Sequence, residues 1–162
     1  MTFNVEIRSP DYTGSGTART TTSTTQSDIT KIVLPVTQIQ YTTNKTVDVA
    51  ERMGNPDPHL QANGGGTKSV TLSGVFTTTT ISGIDPAYLA DDLRYAVDYW
   101  YDNSAGTLAV STLVWTEAKV VADTDKTFTL EGVLQRCNFE RVAGQDSAWN
   151  FSVVFLIGAV ES

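Results

Sequence analysis

Apolar residues recur along this chain in two rhythms, and the helical one occurs once. From Asp85 to about Tyr101, Leu89, Leu93, Ala96, Val97 and Trp100 fall at i, i+4, i+7, i+8 and i+11, a single stripe of an amphipathic helix. Asp85 is placed as its N-cap, where a carboxylate accepts orphan amides. Pro86 fits the first helical position, whose amide is unpaired anyway. Asp91, Asp92, Arg94 and Asp98 are assigned to a solvated face.

The other rhythm is alternation, the mark of half-buried strands. Lys68–Thr80 sets Val70, Leu72, Gly74 and Phe76 on one face, and Ala148–Val160 sets Trp149, Phe151, Val153, Phe155 and Ile157 inward. Leu108–Trp115 reads as a strand, with Glu117–Ala122 as a further short one or its continuation. Thr127–Val142 reads as a long strand bent at Gly132. Thr2–Ile7 fits a short strand or an extended arm. Asp28–Tyr41 is strand-like, and its Pro35 marks an edge or a bulge. Two stretches lack a period. Pro10–Ser27 is a Thr/Ser/Gly run expected to be flexible, and Thr42–Thr67 is a long connection with one short strand at Val47–Glu51. The sum is an α+β domain, mainly antiparallel β. It is expected to be a sandwich or barrel with one flanking helix (85–101) and long loops, one domain over 1–162 with flexible segments 10–27 and 42–67.

Composition narrows the partners. The net charge is -7, with 11 Lys and Arg against 18 Asp and Glu, which argues against a nucleic-acid-binding surface. The acidity suits solubility, salt-rich surroundings, or a wall that nucleic acid passes without sticking. Threonine, at 25 residues, is heavily used and favours strands and solvated loops. A single cysteine, Cys137, excludes an intrachain disulfide and is read as a packed side chain. The first residues lack the basic and apolar regions of a signal peptide, and no apolar run is long enough to span a bilayer. Synthesis in a cytoplasm without a membrane anchor is therefore expected.

No chemistry assembles from the motifs. His59 is the only histidine and has no second His or nearby Cys to share a metal or a proton. Asp91 and Asp92 project about 100° apart on a helix, so adjacency alone gives no shared site. Asn63-Gly64-Gly65-Gly66-Thr67-Lys68 lacks the phosphate-loop spacing and precedes a strand rather than a helix, so it is read as a hinge. Two sequons, at Asn44 and Asn150, carry no weight without a secretory signal. The expectation is no enzyme, no cofactor and no metal.

The strand K-S-V-T-L-S-G-V-F, the helix A-D-D-L-R-Y-A-V-D-Y-W, the strand L-A-V-S-T-L-V-W and the final pair L-Q-R-C-N-F-E-R and W-N-F-S-V-V-F-L-I-G form an ordered pattern. It resembles the tail-tube fold of tailed phages and related viruses over residues 68–160, a little over half the chain. That fold is shared by major tail tube proteins, distal tail and baseplate hub proteins, tail terminators and the tube proteins of contractile secretion machines. The resemblance implies a structural virion protein, synthesised in the host cytoplasm. Its copies would form six-fold rings that stack into a tail tube, contact other tail proteins, and let viral DNA pass through the lumen without specific binding. It also implies that the two unpatterned segments make inter-subunit contacts, with Tyr12, Arg19, Asn44, Val47, Arg52, Met53, His59 and Leu60 as the candidates. Two alternatives stand beside it. One is a distal tail or baseplate adaptor, or a terminator, present as a single ring. The other is a carbohydrate- or receptor-binding β-sandwich using Trp115, Trp149 and the tyrosines as an exposed platform.

Overall fold

Val5, Ile7, Leu34, Val70, Leu72, Leu113, Val153 and Phe155 are fully buried, and each lies on the inward row of an alternating strand. In the computed structural model, which describes residues 3–21, 25–50, 59–102, 105–117, 125–141 and 148–158, these rows belong to one antiparallel sheet. The strands are β1 (Phe3–Arg8), β2 (Lys31–Val36), β3 (Gln38–Ala50), β4 (His59–Thr77), β5 (Ser111–Glu117), β6 (Lys126–Arg141) and β7 (Ala148–Ile157). A 3₁₀ turn, Gln26–Asp28, precedes β2, and helix α1 (Pro86–Tyr99) lies between β4 and β5.

The strand order is β2-β1-β5-β6-β7-β4-β3. β2 and β3, consecutive in the chain, therefore occupy opposite ends of a 7-stranded sheet with Thr37 alone between them. That is possible only if the sheet rolls until its ends meet. Thr37 marks the junction: its amide donates to the Ser73 carbonyl at 2.9 Å and its hydroxyl to the same oxygen at 3.2 Å. β3 begins opposite Ser73, so Gly74 onward has β7 on one side and β2 approaching on the other. A Cβ on Gly74 would lie 2.7 Å from the Pro35 carbonyl oxygen, so this approach requires glycine. The sheet is rolled but not closed, an α+β architecture with one helix outside.

β6 turns a corner within this roll. Lys126–Gly132 pairs with β5, and Gly132–Arg141 pairs with β7, with a register shift between Leu134 and Arg136. At the corner, a Cβ on Gly132 would stand 1.8 Å from the Leu156 carbonyl oxygen, which explains the glycine. Phe76 and Phe151 stack at 4.7 Å inside the roll, and Trp115 stacks on Phe128 at 4.9 Å.

Helix α1 forms as its sequence dictates. The Asp85 carboxylate accepts from the Ala87 amide at 2.9 Å, and Pro86 sits in the first turn. Leu89, Leu93, Ala96 and Trp100 are buried against the sheet, while Val97 is half-buried. The helix ends at Tyr99, short of the predicted Tyr101, with Trp100 as its cap and the buried Ser111 hydroxyl donating to the Trp100 carbonyl at 2.8 Å.

Three strand predictions need correction. The single strand Asp28–Tyr41 is two strands at opposite ends of the sheet, because the backbone leaves the β1 ladder at Val36 and joins β4 at Gln38. Pro35 does mark an edge strand, since β2 is terminal in the order. The Thr42–Thr67 connection is mostly strand: β3 runs on to Ala50 and β4 starts at His59. Its glycines serve as an irregularity in a ladder rather than a hinge, because Lys45 pairs with Gly66 while Val47 pairs with Ala62. Leu108 makes an isolated bridge to Asp102, and β5 begins only at Ser111. Residues 118–122 lie outside the described residues.

Candidate assembly edge

The feature left over once the core is accounted for is the ribbon made by β3 and the first half of β4. β7 reaches β4 only as far as Lys68, opposite Ile157. Beyond Lys68, among the described residues, His59–Thr67 has a strand partner in β3 alone. Among the described residues, no strand pairs with the outer edge of β3, 13 residues long. A bare two-stranded ribbon is marginal in water because neither face is covered, and an open edge presents a row of unpaired amides and carbonyls.

The exposed side chains agree with this geometry. Thr43, Asn44, Lys45, Val47, Gly66, Thr67 and Lys68 are all exposed. Tyr41, nearer the sheet, is 51% exposed and Val47, farther out, 45%, apolar surface displayed on an open edge. Ile39, by contrast, packs against the core and anchors the ribbon's root.

The predicted contact residues divide among three places. Asn44 and Val47 lie in β3, paired with Thr67 and Ala62, and His59 and Leu60 lie in β4 at the far end, paired with Ala50 and Val49. Arg52 and Met53 fall outside the described residues. Tyr12 and Arg19 belong to the segment that follows β1. Tyr12 is half-buried, its ring 4.5 Å beneath the Arg8 guanidinium, and its hydroxyl donates to the Gly14 carbonyl at 3.3 Å.

Arg19 is committed inside the chain. Its Nε donates to Asp92 Oδ2 at 2.9 Å and its Nη2 to Asp92 Oδ1 at 2.5 Å, with the two side chains only 7% and 1% exposed. The hydrogen bond to Asp92 raises the Arg19 pKa, outweighing burial, which acts the other way. Asp92 is thus corrected from the solvated face of α1 to the interior, where a two-point guanidinium partner satisfies its charge. The segment is held to the fold elsewhere as well. Ser9 donates to the Thr30 carbonyl at 2.8 Å, Thr30 donates to the Thr17 carbonyl at 2.9 Å, and Thr17 donates to Thr30 Oγ1 at 2.7 Å.

Tyr41, at the root of the open edge, was not among the predicted contacts. Its signal was available in principle, as a large aromatic in a segment rich in Thr, Gln and Asn. The tryptophans do not form an exposed platform. Trp115 is buried with its Nε1 donating to Glu117 at 3.1 Å, and Trp149 is half-buried between Phe139 and Arg141. Among the described residues, no three His, Cys, Asp or Glu side chains group in a way that could hold a metal ion. Cys137 lies half-buried in β6, and burial pushes its thiol pKa up, with Asp98 adding to the rise and Arg94 opposing it.

No family model matches the sequence, and no curated protein matches it. Among solved structures, the chain is similar to one described as the crystal structure of Hcp protein. The identity is 16%, the match covers 96% of this chain and 87% of that one, and the TM-score is 0.40.

Proposed function

We propose that this chain is a structural subunit of a tube, whose copies join edge to edge into rings that stack around a channel. The observation that carries the reading is the open 13-residue edge of β3, continued into a ribbon with no third strand among the described residues. In a monomer, that edge leaves backbone groups to water and displays Tyr41 and Val47. In a head-to-tail ring, each edge is met by the next subunit, and a closed ring leaves none exposed. The resemblance of residues 68–160 to the tail-tube fold supports a setting in a virion tail, with viral DNA as the cargo of the lumen. The net charge of -7 fits a channel wall that repels phosphates. On this reading the chain performs no catalysis.

Negative-stain microscopy of the purified chain tests the proposal. Hollow tubes or stacked rings are the expected result. Single rings that never stack would move the protein to a tube end, as a distal tail, baseplate or terminator component. Particles that remain monomeric at high concentration would remove the assembly reading.

A further inference from the structure

We propose that β3 of one copy adds, antiparallel, to the free edge of β6 over residues 135–140 of the next copy, so that neighbouring sheets run on into one another. The inference rests on the tube reading and names the surface that receives β3. That surface exists because β6 turns its corner at Gly132. β5 pairs with β6 only over residues 126–132, and before Ser111 the chain turns to the end of α1, the Ala109 amide donating to the Tyr101 carbonyl at 3.1 Å. Past the corner, β6 has β7 on one side and, among the described residues, no strand on the other. Phe139 points into the roll beside Phe76, ring centres 6.3 Å apart, while Gln135, Arg136, Asn138 and Glu140 are exposed.

The backbone patterns of the two edges match. In an antiparallel ladder, alternate residues aim both backbone groups at the same neighbour. Gly158 donates to the Glu131 carbonyl at 3.0 Å, so the even residues of β7 serve β6 and the odd ones serve β4. Arg136, Asn138 and Glu140, opposite Val154, Ser152 and Asn150, are therefore turned to β7, and Cys137 and Phe139 aim their amides and carbonyls at the open side. The same alternation carried through β4, where the Ser73 carbonyl faces β3, leaves Tyr41 and Thr43 aiming outward from β3. Direction agrees as well. Each neighbour in β6-β7-β4-β3 is antiparallel, so β3 runs opposite to β6, and rotation about a ring axis preserves that sense from copy to copy. The β2 end of the sheet offers no such edge. The Lys31 amide is taken by the Thr17 carbonyl at 3.3 Å, Pro35 has no amide, and the Pro35 carbonyl approaches Gly74.

Disulfide trapping of the full chain, in a Cys137→Ser background, tests the contact. The pattern sets Asn138 opposite Gln40, Thr42 or Asn44 according to register, a non-hydrogen-bonded pair with Cα atoms about 4.5 Å apart, within disulfide range. Asn138→Cys is combined with each of Gln40→Cys, Thr42→Cys and Asn44→Cys, and, as a control, with Thr43→Cys on the opposite face of β3. Particles are grown under reducing conditions, viewed by negative stain, and then oxidised. One of the three pairs is expected to shift the chain from monomer to a ladder of multimers on a non-reducing gel, with the control still monomeric. Rings or tubes in which none of the three pairs cross-links, or in which the control cross-links equally, would overturn this contact and leave the tube reading standing. Failure of parent and variants alike to assemble would remove the tube reading and the contact with it.

Discussion

Arg19 and Asp92 are 73 positions apart, yet they form a buried, two-point ion pair that ties the segment after β1 to the inner edge of α1. The pair explains how a stretch of Thr, Ser and Gly with no apolar period is held against the domain. It also sets a strong expectation. Removing one partner leaves a desolvated charge, so Arg19→Met or Asp92→Asn should each cost about 3–5 kcal/mol in urea unfolding. The double variant Arg19→Met/Asp92→Leu should recover much of that loss, because no unpaired charge remains. Because the Arg19 pKa is raised, its contribution is complete below the ordinary arginine value and is lost only as pH rises through the higher folded one. The stability gap between the parent and Arg19→Met should therefore stay constant from pH 7 to pH 10.

The corner of β6 is steric. Gly132→Ala places a methyl group 1.8 Å from the Leu156 carbonyl oxygen, where backbone cannot yield cheaply. Thermal unfolding of this variant should show a loss of at least about 1–3 kcal/mol. An unchanged melting temperature would mean that β6 and β7 separate at the corner more easily than their register implies.

The N-terminus of α1 gives a smaller effect. Asp85→Ala removes the acceptor for the Ala87 amide and should cost about 1 kcal/mol, with Asp85→Asn close to the parent. A loss equal for both variants would assign the effect to charge rather than to capping.

Cys137 provides a pH probe of the space beneath α1. Its raised pKa means less thiolate at neutral pH than a free thiol has, so modification by a disulfide reagent at pH 8 should be slow and should accelerate at higher pH. Arg94→Gln removes the influence that lowers this pKa and should slow the reaction further. The linkage has a definite sign. Stability from the neutral thiol is full below its ordinary value of 9.0 and is lost as pH rises through the folded value.

The legible parts of the sequence were those with one buried face. The α1 stripe and the inward rows of β4 and β7 were readable because burial imposes a period. Asp92 was misplaced because it borders the stripe at Leu89 and Leu93, and only a partner far away in the chain makes its burial affordable. The part of β3 from Thr42 onward reads as a connection for the opposite reason. From Thr43 outward its described side chains are exposed, so no core face imprints an alternation on Thr-Asn-Lys. The break at Thr37 was hidden too, since strand periodicity does not record which neighbour a strand pairs with. A strand with no buried face thus looks, in sequence, like a loop.

Sedimentation velocity of the full chain beside a Tyr41→Lys/Val47→Lys variant tests the central claim most directly. Both side chains are exposed on the open edge, so the substitutions should leave the monomer's unfolding free energy within about 0.5 kcal/mol of the parent. Charges on that edge oppose strand addition. The parent is predicted to sediment as rings or larger stacks and the variant as a monomer. Identical sedimentation of the two proteins, whether both assembled or both monomeric, would contradict the assignment of β3 as the assembling edge.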